Sequence, residues 1–365
     1  MTARGISVTE KQALAQLHAL AISPVRCTNP GCGTLIPPAT LDNIPFPVAF
    51  SAEASPPRAL FAAIHACCPA CAQNHCRGCG VPTGCDGNCH GGDAWHDSGA
   101  ALVHIPRSHP SSAASTSPRN GYNAIYPPPP CPVPSHCPAV RAIGALGALI
   151  AFDRAHIAMG ARDHGRAADK PLIGPLHALV FFLSPPAPAS PMSPPASGLL
   201  LLADGDGDPD GAPQADAALP ALLGVSRVPT YAAALLRAGA GGARGEADVG
   251  TWMARAPAYG AVLRVLRALG DAGCQSVLVR PVHSGAGTPS WFRRGTAGDD
   301  DVWRDEGGGD TLRGLIRKLE GSRAALLKLA GATTFGPTVE KAHALCDGVL
   351  YLLLQDVLGE DEDGY

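Results

Sequence analysis

A chain of 365 residues has room for two or three domains of about 150 residues each, but Gly 43 and Pro 36, about a fifth of the residues, predict long segments without a packed core between the compact pieces. The formal net charge is −3, and the window 67–96 holds one cation, Arg77, against Asp86 and Asp93, so the basic face that phosphate binding needs is missing and no nucleic-acid partner is expected. No stretch reaches the roughly 18 continuous apolar residues of a membrane span, and MTARGISVTEKQ lacks the basic start and apolar core of a secretory signal, so neither a membrane nor export is expected.

In chain order, Ser7-Val8-Thr9-Glu10 has the form of a capping box, and Leu14, Leu17 and Ala21 follow at helical spacing, which predicts a leading helix over 8–21. Within 33–66, Ile44, Phe46, Val48 and Phe50 alternate as in a strand, and Leu60, Phe61 and Ile64 are spaced as in a short helix.

The window Cys67–His96 then holds seven of the thirteen cysteines. Cys68-x2-Cys71 and Cys76-x2-Cys79 are tight pairs of the kind that wrap a tetrahedral Zn²⁺ from one turn, with Pro69, Gly78, Gly80 and Pro82 supplying bends. Two pairs so close together imply two metals. Upstream, Cys27-x4-Cys32 completes one set of four sulfurs with Cys68 and Cys71; downstream, Cys85 and Cys89 complete the other with Cys76 and Cys79. Cys67 competes with Cys68, and His90 or His96 with Cys89, and the spacing leaves both choices open. The alternative is a disulfide framework, which an odd cysteine count and the missing secretory signal disfavour. Eight thiolates and two Zn²⁺ would add about −4 to the net charge.

The order Cys-x4-Cys-x35-Cys-x2-Cys-x4-Cys-x2-Cys-x5-Cys-x3-Cys over residues 27–89 resembles the in-between-RING module of the RING-between-RING ubiquitin ligases. The resemblance implies that the first four ligands hold one zinc and the last four another, and it implies a link to ubiquitin or a ubiquitin-conjugating enzyme. Cys85 stands where the family usually places a histidine, and thiolate and imidazole are both good zinc ligands. The 35-residue spacing is longer than the family's, an insertion that costs little because loop closure grows slowly with length.

Past His96 the character changes. Residues 101–137, with Ser-Pro steps and the run Pro127–Pro130, favour an extended linker. Cys131 and Cys137 could form a further metal half-site with His136, His96 or His104; flanking prolines leave few ways to wrap a metal, so unligated thiols are expected. Residues 138–183 form a helical segment, with Val140, Ile143, Leu146 and Ile150 in register and Gly144 and Gly147 as weak points; Leu176–Leu183 is short and apolar enough for a strand. SPPAPASPMSPPASG opens a second, disordered linker over 184–217, which separates two halves.

Residues 218–358 are expected to form an antiparallel helical domain, with helices around Tyr231–Arg237, from Pro257 to Leu269, from Leu312 to Leu319, and a stripe from Val339 through Cys346 to Val357. Cys274 is expected at a turn into a strand, Val277-Leu278-Val279, and Cys346 in a core. Asp299, Asp300, Asp301, Asp305 and Glu306 lack the spacing of a calcium loop, and 359–365 is an acidic tail. The glycine-rich run AGAGGARG at 238–245 lacks the preceding strand of a phosphate loop.

The expected architecture is therefore a small zinc-stapled α+β module over 1–100, with its leading helix, followed by a mainly α-helical domain and joined through Pro/Ser-rich linkers. Its expected role is a zinc-binding interaction or scaffold protein of the cytoplasm or nucleus with protein partners. The alternative is a divergent RING-between-RING-like ubiquitin-protein transferase. A transferring cysteine must be exposed and activated, and after Cys89 only Cys131, Cys137, Cys274 and Cys346 remain, too few for a second RING; Cys137, beside His136, and then Cys131 are the least improbable nucleophiles, and no thioester is expected.

Overall fold

The computed structural model describes residues 8–42, 44–46, 56–83, 137–159, 169–184, 215–240, 249–282, 310–332 and 336–362. The fold is mostly helical, with a small cysteine-rich N-terminal region that contains two pairs of short strands.

The leading helix forms where the spacing puts it. Helix α1 (Val8–Ile22) buries Ala13, Leu14, Leu17 and Ala21 along one side and leaves His18 half-buried. Strands β1 (Val25–Arg26) and β2 (Leu35–Ile36) pair antiparallel, with Val25 opposite Ile36. Helix α2 (Arg58–Ile64) buries Leu60, Phe61 and Ile64, the three positions whose spacing predicts it. Strand β3 (His65–Cys67) follows at once and pairs antiparallel with β4 (Asn74–Cys76). Ile44 and Phe46 lie in irregular chain rather than in the expected strand, while Val48 and Phe50 lie outside the described residues.

Helix α3 (Pro138–Met159) is the centre of the molecule. It buries Val140, Ile143, Leu146 and Ile150 as expected, but also Ala139, Ala142, Ala145, Ala148 and Leu149, so it is apolar nearly all round. By length and composition it could cross a membrane, and in this fold its covering comes from protein: α2, helix α4 (Lys170–Leu183) and helix α5 (Ala215–Val225) pack around it. Gly144 and Gly147 are where those neighbours come closest. A Cβ at Gly144 would lie 2.3 Å from the Phe182 ring, and one at Gly147 would lie 2.6 Å from Leu60 Cδ1.

Two expected strands are helices. Leu176–Leu183 belongs to α4, whose buried Leu172, Leu176, Leu179 and Leu183 recur at i, i+4, i+7 and i+11. The apolar run extends through Pro171 and Ile173, and its true length, 14 residues, is that of a helix and not of a strand. Val277-Leu278-Val279 lies in the short α9 (Gln275–Val279) because the preceding α8 (Ala256–Asp271) ends in a turn around Gly273, at φ +70, where Cys274 N–H donates to Leu269 O at 2.8 Å and redirects the chain helically.

The remaining helices are α6 (Val228–Gly239), α7 (Val249–Ala254), α10 (Leu312–Arg317), α11 (Glu320–Ala332) and α12 (Pro337–Glu362). The described helices on both sides of the 184–217 segment share one core: α1 packs on α5, α4 on α8, and α8 on α12. A buried polar knot ties it. Arg255 grips Asp169 with Nε on Oδ2 and Nη2 on Oδ1, both at 2.7 Å, and the Tyr231 hydroxyl donates to Asp169 Oδ1 at 2.9 Å. Burial, and then the Asp169 charge, push the Tyr231 phenol well above its ordinary range, so it remains a donor. The acidic run 299–306, residues 241–245 of the glycine-rich run and the final tail residues 363–365 lie outside the described residues.

Candidate metal centre

Each described cysteine pair sits on a tight backbone turn. Between β1 and β2, Cys32 N–H donates to Asn29 O at 3.0 Å and Cys27 N–H to Thr34 O at 2.9 Å; Gly31 and Gly33 take φ +82 and +61. Between β3 and β4, Ala72 N–H closes on Cys68 O at 2.9 Å, and Ala72 itself adopts φ +59. An alanine there costs roughly 1–2 kcal/mol of local strain that a glycine would not; the turn holds it so that the Cys68 and Cys71 sulfurs can point together.

The two hairpins bring Cys27, Cys32, Cys68 and Cys71 into one group whose four sulfurs lie within 4.8 Å of one another. Cys27 Sγ is 3.5 Å from Cys71 Sγ, and Cys32 Sγ is 3.6 Å from Cys68 Sγ. Four sulfurs about 2.3 Å from a tetrahedral ion are about 3.8 Å apart, so the spacing suits a metal, and no disulfide joins the described cysteines. The choice between neighbours is plain: Cys68 is buried in the group, whereas Cys67 is exposed and outside it. Around the sulfurs Cys27, Ile36, Ala66 and Cys68 form a core of their own, separate from the main one and far too small to stand by hydrophobic burial alone.

The thiols of this group are not equivalent. Burial, and proton sharing with Cys71, Cys68 and Cys32, push Cys27 up to about 12. The Thr34 hydroxyl and backbone amide draw Cys32 down to about 6. His75 supports Cys27 from behind. Fully buried on β4, its Nε2 lies 3.3 Å from Cys27 Sγ and its Nδ1 3.4 Å from Thr28 Oγ1. With the Thr28 hydroxyl donating to Nδ1, Nε2–H points at the sulfur, an arrangement that orients and stabilises a thiolate. His65, by contrast, donates Nδ1–H to Phe61 O at 2.7 Å, and burial lowers its basicity; it is a structural histidine.

A second group contains Cys76, Cys79 and Cys137, again with all sulfurs within 4.8 Å. The Cys76–Cys79 turn repeats the pattern of the previous one: Gly80 N–H donates to Cys76 O at 2.8 Å, and Gly80 takes φ +72. Proton sharing with Cys137 and Cys79, followed by burial, pushes the Cys76 thiol up, and the same sharing holds Cys79 down.

The structure thus assembles Cys27, Cys32, Cys68 and Cys71 as the spacing predicts, and Cys76 with Cys79. Cys85, Cys89, His90, His96, His104, Cys131 and His136 lie outside the described residues. Cys137, expected as an unligated thiol, instead joins Cys76 and Cys79. Pro138, a restraint in an extended chain, is here the first residue of α3, and the helix it starts carries Cys137 to the turn. Cys274 and Cys346 are buried among helices, as expected of packing residues.

Comparison with protein-family models, curated proteins and solved structures finds no match for this chain.

Proposed function

We propose that the chain is a zinc-binding interaction or scaffold protein, with two Zn²⁺ per molecule stapling its N-terminal region. The observation that carries this reading is the four-sulfur group of Cys27, Cys32, Cys68 and Cys71, whose spacing and closed set of thiols match a structural site and not an open catalytic one. A thiol-rich donor set selects soft or borderline metals, and in a protein Zn²⁺ is the common occupant. The reading puts the protein in a reducing compartment, cytoplasm or nucleus, where the thiols stay available. The order of the cysteines, with its likeness to in-between-RING modules, supports a partner in ubiquitin handling, either ubiquitin or a conjugating enzyme.

The transferase alternative needs an exposed cysteine with a favoured thiolate. Among the described residues, Cys137 is 7% exposed and shares protons with Cys76 and Cys79, while burial together with Cys68 and Cys71 holds the exposed Cys67 above the ordinary thiol range. These features favour the binding role. Elemental analysis of the purified chain is the test, with two equivalents of zinc expected; zero metal, or iron, would overturn it. Incubation with a ubiquitin-charged conjugating enzyme should leave no reductant-sensitive adduct, and an adduct lost in Cys131→Ala would establish the enzyme reading in its place.

A further inference from the structure

We propose that Cys137 is a ligand of the second metal ion, together with Cys76 and Cys79, and that this ion fastens the cysteine turn to the N-terminus of α3. The proposal rests on the zinc reading above and changes what the second ion does: it is a clamp between the cysteine-bearing region and the helical body, not a staple within a separate module.

The two segments meet at backbone distance. A Cβ placed at Gly78 would lie 2.7 Å from Cys137 Sγ and 2.9 Å from both Ala139 Cβ and Val140 N, so only glycine lets the turn press against the start of the helix. Cys137 also caps that helix. Val140 N–H donates to its sulfur, and Arg141 N–H donates to its carbonyl at 3.1 Å.

Arg77 ties the same turn to the rest of the cysteine-bearing region. It lies within the turn between Cys76 and Cys79 and is 5% exposed. Its Nη2 donates to Pro37 O at 3.1 Å and to His65 O at 3.4 Å, while Nε and Nη1 have no hydrogen-bond partner among the described residues. Three thiolates would occupy three positions of a tetrahedral ion, and a further donor completes the coordination. Burial of both Cys76 and Cys137 within the main core, in contrast to the small separate core of the first group, places the clamp where the two parts of the molecule join.

The test is zinc stoichiometry of the full chain. The wild type should carry two equivalents, Cys32→Ser one, and Cys137→Ser one, while Cys137→His, which restores a ligand, should return to two. A Cys137→Ser protein that still carries two zinc ions overturns the clamp and leaves the zinc reading intact; a wild type without zinc overturns that reading itself. Hydrogen exchange on the wild type covers the case in which the serine variant fails to fold. Chelation should speed exchange of the amides from Val140 to Ile143 by about tenfold or more, since a helix end that loses its anchor opens locally, with Leu345 to Val349 in α12 unaffected. Equal exchange at Val140–Ile143 with and without metal would also overturn the clamp.

Discussion

His75 bears on the first cysteine group without belonging to it. Its imidazole lies between Thr28 and Cys27, with Nε2 3.3 Å from a Cys27 sulfur that burial holds well above the ordinary thiol range. Replacing a residue of this kind weakens metal binding by about 10–100-fold without changing how many ions bind. His75→Phe should therefore keep two zinc ions at saturation but surrender one to a competing chelator at a lower chelator concentration, read by a zinc-sensitive dye; unchanged competition would make His75 a packing residue only. The first four-sulfur group is legible because pairs with short spacing announce a turn. His75 was not, since its role depends on pairing with β3 and on β1–β2 folding over it, contacts far apart in sequence. Cys137 was hidden for a related reason: its partners are distant along the chain, and the proline beside it reads as a linker until the helix it begins is seen.

At the scale of elements, periodicity read most helices correctly and failed where the apolar face had no opposite. α1, α2 and α8 each bury a stripe that the sequence displays, whereas α12 buries Ala342, Leu345, Cys346, Val349 and Leu352 and leaves Leu350 and Val357 of the expected stripe exposed. α3 and α4 each bury residues on nearly every side, so their periodicity is weak and the short run in α4 reads as a strand. The glycines of α3 mark the same point. By helix propensity alone Gly144→Ala should stabilise the protein by about 1 kcal/mol. Here the added methyl would meet the Phe182 ring, itself packed against Phe61 and Phe181, so the ring has little freedom to yield. Overpacking of this kind costs about 1–3 kcal/mol. Gly144→Ala should therefore lower the urea midpoint, whereas Gly321→Ala in α11, where an added Cβ meets nothing within 4 Å, should raise it or leave it unchanged. A stabilised Gly144→Ala would show that the α3–α4 contact is looser than described.

For the whole molecule, the proline-rich segments suggest independent halves, and the packing joins them. α1 packs on α5, Glu10 pairs with Arg280, and α2 packs on α3, so the N-terminal region is built onto the helical body and not tethered to it. The pattern of burial then assigns the two cysteine groups different consequences. The first has its own small core around Ile36 and Ala66, and losing its metal should unravel β1–β4 locally while the helices persist. Cys76 and Cys137 belong to the common core, and the loss of a metal held there would remove an anchor of α3, the helix on which α2, α4 and α5 all pack. Loss of a cap alone costs about 1 kcal/mol, and an abandoned buried hydrogen-bond partner adds about 1–3 kcal/mol. A loss of ~2 kcal/mol shifts the midpoint of a domain of about 150–250 residues by roughly 4–8 °C. Thermal unfolding followed by helical circular dichroism should accordingly show Cys32→Ser melting close to the wild type and Cys79→Ser melting several degrees lower, although each variant lacks one metal ligand. Cys79 suits the comparison because its side chain is exposed, so serine there removes a ligand with little loss of packing. Equal melting of the two variants would mean that the second group, like the first, stabilises only its own turn.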